Sequence, residues 1–224
     1  MKLSIPTPLP SRKTMVLAIF ALAIGLGSAF AAAWLSRDVS IFSLAPAPGK
    51  PPDILASQRL DLHRTFFTIW VALLLVTPAL CLFPFRRRSE LAARYWLAFW
   101  TVALVAFCVH FYWAVVVIFG SDWKRIMGTP RVSAPVLDTV FAIWWCADVA
   151  IAWLVRSEAT WVRVERTLVH VLAFVLFFMG AAREGELLAS RFLGWTMAGL
   201  VAAALAAGLA RLRKSRGNIN IASQ

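Results

Sequence analysis

His110 and Asp148 each lie deep inside a long apolar stretch, the first within Tyr95–Gly120 and the second within Leu137–Val155. Hydrocarbon penalises ionisable side chains, so such residues pair, lose their charge or face a water-filled cavity, and they mark functional sites by default. A carboxylate at a helix centre costs about 2.5–3.5 kcal/mol even on the most lenient scale, which gives Asp148 the most at stake. An imidazole and a carboxylate together could act as base and acid or as a proton relay. The plainer reading is packing. His110 shares its helix face with Ala103, Ala106 and Ala114, so it faces a neighbouring helix, where one hydrogen bond would account for it.

Whether the two residues meet depends on where depth is counted from. From the outer ends, His110 lies ten residues before Gly120 and Asp148 eleven after Leu137, roughly 15–17 Å deep for both. From Arg94 and Arg156 they are sixteen and eight residues in, about 12 Å apart in depth. A short outer turn between the two helices favours the first count. The expectation is therefore an intramembrane polar pair, His110 with Asp148.

A second candidate is an outer-face polar cluster of Arg183, Glu184, Glu186 and Asp138, near Asp122, Lys124, Arg125 and Arg191. It could bind a polar headgroup or a partner protein, and solvated helix ends are the ordinary alternative. Glu184 and Glu186 are two apart and do not share a helical face, so they make a poor metal pair. His110 and His170 fall at different depths, which argues against a haem between them. No metal, no cofactor and no catalytic residue is assigned. His63, beside Arg64, reads as a solvated interface residue. Cys81, Cys108 and Cys146 all fall inside apolar runs and read as small buried hydrophobes. There is no phosphate-binding glycine loop, no zinc spacing and no nucleophile elbow.

The elements that must position these residues are membrane helices. Of the 224 residues 61% are hydrophobic and the mean hydropathy is +0.74, against roughly 45–50% apolar in globular proteins. With about 20 apolar residues per crossing, the pattern predicts an all-α, six-helix transmembrane bundle over residues 14–210. The helices are expected at 14–35, 65–85, 95–120, 137–155, 167–182 and 192–210, with cytoplasmic tails at 1–13 and 211–224. The first run could instead be a secretory signal, since Ala29-Phe30-Ala31 suits cleavage, but at 22 residues it exceeds a typical apolar region of about 7–15. Pro78 should kink the second helix. The Ala45–Pro52 segment reads as extended, and Arg163 and Arg166 should snorkel to the interface, letting the fifth helix begin earlier than residue 167.

A net charge of +12 invites a nucleic-acid reading, but the basic residues sit at the ends of apolar runs, as topology signals do. With the N-terminus inside, the inner segments hold 14 Lys and Arg and the outer ones 9. The expected orientation is N-in/C-in in a bacterial-type inner (plasma) membrane. Tyr95, Trp96 and Trp100 near one end of the third run, and Tyr112 and Trp113 nearer the other, partly match aromatic belts. Two stripes of small residues, Ala21/Gly25/Ala29/Ala33 and Gly194/Ala198/Ala202/Ala206/Ala210, suit close helix packing and a membrane-protein partner or homo-oligomer. The first functional expectation is a non-catalytic membrane component, a subunit, assembly factor or scaffold. The alternatives are a small-solute or proton-coupled transporter using Asp148, and an intramembrane enzyme acting on a lipid or quinone through His110 and Asp148. No inverted repeat of the transporter type is evident.

Overall fold

The computed structural model describes residues 7–44, 54–129, 131–155 and 157–221, with side chains as far as Arg211. The Ala45–Pro52 segment, Arg156, most of the N-terminal tail and the basic side chains beyond Arg211 lie outside the described residues. The elements are α1 (Arg12–Leu35), α2 (Arg59–Leu82), α3 (Glu90–Phe111), α4 (Trp123–Gly128), α5 (Pro135–Leu154), α6 (Thr160–Phe178) and α7 (Leu188–Ile221). No strand occurs among the described residues. Six helices, all but α4, are long and apolar enough to cross a membrane. Large apolar side chains such as Phe20, Leu154 and Trp195 stand exposed on the bundle surface, as expected where lipid is the solvent.

Local chemistry explains the helix ends. Ser11 and Ser89 cap α1 and α3, their hydroxyls accepting from Thr14 N and Ala92 N at 3.2 Å each, which satisfies an orphan amide at each start. Asp122 does the same for α4, accepting from Lys124 N and Arg125 N. Pro135 opens α5, where its missing N–H costs nothing. Several helices outrun their apolar stretches. α2 begins at Arg59, with Arg64 donating to Asp61 at 2.8 Å across its second turn. α6 begins at Thr160, because its first turns carry charges that find partners inside the bundle. α2 continues through Pro78 to Leu82 without interruption.

Two helices change pitch at one end of the molecule. α3 runs on as a π-helical turn over Tyr112–Ile118, and α6 does so over Met179–Arg183. Such turns are rare and concentrate at functional sites. Both lie at the loop end of the bundle, opposite the tail end where α1 begins and α7 finishes.

α2 is the central helix, touching α1, α3, α6 and α7. The α1 stripe is used inside the chain: Ala29 and Ala33 are buried, and a Cβ on Gly25 would come within 2.7 Å of Val71. On α7 the buried face is instead Ser190, Gly194, Met197, Val201 and Gly208. Positions four apart advance about 40° per step on a 3.6-residue helix, so Ala202, Ala206 and Ala210 rotate outward and only the Gly194 end packs, against Ala182.

Candidate functional site

Ionisable side chains gather in two places, at opposite ends of the bundle. At the tail end, Asp148 and Arg166 are both fully buried, with Arg166 Nε 3.1 Å from Asp148 Oδ1. Trp100 Nε1 donates to the other carboxylate oxygen at 2.7 Å. Arg166 also reaches Glu158 at 3.4 Å, and Glu158 accepts from Thr7 Oγ1 at 3.0 Å. Trp144 Nε1 donates to Glu165 Oε1 at 2.8 Å. Buried charges persist only when paired and hydrogen-bonded; both Asp148 oxygens meet that condition, whereas Arg166 Nη2, Glu158 Oε2 and Glu165 Oε2 are buried without a hydrogen-bond partner among the described residues.

Aromatic rings wall it in. The His170 ring lies between Phe83 and Trp100, with centroids 4.0 and 3.9 Å away. Its hydrogen bonds define its tautomer. Trp96 Nε1 can only donate, so His170 Nε2 accepts at 2.8 Å, and Nδ1–H donates to the Arg166 carbonyl at 2.7 Å. This imidazole is neutral and has no nitrogen left for an iron. Arg86 lies over Phe83 at 3.9 Å and approaches Trp96 at 5.4 Å. Burial pushes the Arg86 guanidinium down to about 10, opposed by the negative charge of Glu158, so it stays charged at neutral pH.

The expected His110–Asp148 contact does not form. Asp148 is held by Arg166 and Trp100, while His110 Nδ1 lies 2.9 Å from the Thr65 carbonyl. His110 is twenty residues along α3 from the tail end and Asp148 six from the tail end of α5, which separates them by roughly 20 Å in depth. Depth therefore follows the inner ends of the two helices, not their outer ends. The outer connection is not a short turn but a π turn, α4 and a loop. Arg166 does not snorkel, because Asp148 retains it. Trp96 and Trp100 are not belt residues but wholly buried donors. His63 is also fully buried, with Nδ1 2.8 Å from Ser36 Oγ, and Cys108 and Cys146 stand on the exposed surface.

At the loop end the helices splay around a cavity of about 890 Å³. Its walls come from α2, α3, α5, α6 and both π turns, and they are mainly aromatic and aliphatic. Phe107, Phe141 and Phe177 line it and all pack on Trp145, at 5.5, 5.2 and 6.0 Å. Trp145 in turn lies 4.6 Å from Trp100, so a layer of rings separates the cavity from the buried ion pair. Of the expected outer cluster, Asp138, Glu184 and Glu186 line this cavity and Arg183 does not; Arg183, Glu184 and Glu186 are all exposed.

Three connections meet over the cavity mouth. Arg131 pairs with Glu186 at 3.2 Å and donates to the Ser43 carbonyl, while Ser43 N donates to Glu186 at 2.8 Å. Ser133 Oγ donates to Glu184 at 2.9 Å. Two lining groups keep unused capacity among the described residues. The Thr65 carbonyl can only accept, so the His110 proton is on Nδ1 and the Nε2 lone pair is free. The Asp138 carboxyl has no hydrogen-bond partner among the described residues. Large apolar pockets with a few converging polar groups are the usual form of small-molecule sites. Comparison with family models, curated proteins and solved structures gives no match for this chain.

Proposed function

We propose that this chain is a non-catalytic component of a bacterial-type plasma membrane that holds a lipophilic small molecule in the loop-end cavity. The observation that carries the reading is the half-open cavity of about 890 Å³ between the helices at the loop end, with polar groups on its wall left unpaired among the described residues. The preference for Lys and Arg at the tail end supports an N-in/C-in orientation, which puts the cavity mouth on the outer side. Transport through Asp148 has less support, since both carboxylate oxygens are engaged and the residue is sealed from solvent. Acid–base catalysis by His110 with Asp148 loses its basis in the separation of the two. A role in a larger assembly keeps the outward alanines of α7 as its candidate surface.

Gly180 lines the cavity, and a Cβ there meets nothing within 4 Å, so a larger residue fits the backbone while taking up cavity space. A neutral lipophilic fluorophore excited by energy transfer from Trp70 and Trp123, both lining residues, should bind the protein saturably in lipid nanodiscs. Gly180→Phe should abolish that saturable phase at unchanged thermal stability. Identical, unsaturable signals from both proteins would mean simple partition into lipid and would sink the reading. For orientation, alkaline phosphatase fused after Arg216 should be inactive and a fusion in the 36–58 loop active; the reverse pattern would invert the topology.

A further inference from the structure

We infer that the loop-end cavity selects an amphiphilic cation: an apolar body with a hydrogen-bond-donating amine at its head. The inference rests on the cavity being a binding site and adds the chemical class of its ligand.

The polar wall is rich in acceptors. His110 presents the Nε2 lone pair, because its only proton is given to the Thr65 carbonyl. Asp138 presents a carboxyl with no partner among the described residues, and Glu184 uses one oxygen on Ser133. The donors on the same wall are largely spent. Thr65 Oγ1 donates to the Asp61 carbonyl and Thr139 Oγ1 to the Pro135 carbonyl, each at 2.8 Å. Trp70 Nε1 donates to Ser190 Oγ at 2.7 Å. Arg131 is turned onto Glu186 and the Ser43 carbonyl. A ligand that offers only acceptors would leave these groups unmatched, at the cost of their desolvation. A protonated amine matches them.

Charge points the same way. The lining carries three carboxylates (Asp138, Glu184 and Glu186) and one guanidinium (Arg131), formally −2, in a chain whose net charge is +12. Asp138 and Glu184 are close enough to repel each other, and a cation between them relieves that repulsion. Below the charged rim the wall becomes Phe107, Phe141 and Phe177, which suits a hydrocarbon body. Aromatic faces near the mouth, such as Trp123, also favour a cation.

The test is competition against the neutral fluorophore in nanodiscs, with empty nanodiscs subtracted, using dodecylamine, dodecanol and dodecanoate. Dodecylamine should displace it at concentrations about tenfold or more below dodecanol, the scale of a charge-assisted hydrogen bond, and dodecanoate should be weakest. Asp138→Asn should bring dodecylamine to the level of dodecanol while leaving dodecanol unchanged, and His110→Phe should weaken dodecylamine less. Equal displacement by all three, or dodecylamine binding unaffected by Asp138→Asn, overturns the cation assignment while the cavity remains a site. If the fluorophore itself shows no saturable phase, the site and its ligand class fall together.

Discussion

The tail-end cluster and the loop-end cavity are built from the same residue types, a histidine, carboxylates, an arginine and tryptophans, and differ in how far those groups are satisfied. His170 has both nitrogens engaged and a ring on each face. His110 has one nitrogen engaged and the other open to a cavity. Asp148 has two donors, and Asp138 has none among the described residues. Away from water, a polar group with all its partners rigidifies the fold, and one without them is costly unless something else binds it. The contrast separates a latch from a site more clearly than depth in the membrane does.

The largest effect expected from that contrast is at the buried ion pair. Arg166→Ala or Asp148→Ala should destabilise the protein by about 3–5 kcal/mol, because the remaining charge stays buried and loses its nearest opposite charge. The double substitution Asp148→Leu with Arg166→Met should recover part of that loss, since it removes both charges but leaves Trp100 Nε1 and Glu158 without those partners. Thermal unfolding of detergent-purified protein would read this out; single variants as stable as the parent would remove the latch from the comparison. Next comes one substitution made at two places. His170→Phe keeps the ring stack but orphans the buried Trp96 N–H, for about 1–3 kcal/mol. The smallest effect is His110→Phe, at about 0.5–1.5 kcal/mol or less, since the Thr65 carbonyl keeps a bond from Thr68 Oγ1. If His110→Phe proves the more damaging of the two, the assignment of latch and site is reversed.

Much of this was legible in the residues. Apolar runs of membrane-spanning length between basic termini pointed to the helices, and a carboxylate in hydrocarbon singled out Asp148. Its partner was legible as well, by a route that depth counting from the outer ends conceals. Asp148 stands nine residues before Ser157 and Arg166 nine after it, so the α5–α6 hairpin sets them opposite each other. Thr65 and His110 are disposed in the same way about the α2–α3 turn, 22 residues before Arg87 and 22 after Arg88. The early start of α6 at Thr160 fits the charged first turns, but Arg166 turns inward to Asp148 rather than outward to the interface.

The sequence by itself determined that the chain is helical, how many helices are long and apolar enough to cross a membrane, and which few polar residues must be accounted for within them. Hydrocarbon allows only backbone that satisfies its own hydrogen bonds, and that constraint acts along the chain. Only the tertiary structure decided which polar residues are satisfied. That depends on which helices become neighbours, on the rotation of each face, and on two π turns that alter the rotation near the loop end. Those are properties of contacts between helices, and through them Asp148 is sealed against Arg166 and Trp100 while His110 and Asp138 remain on the wall of an open cavity.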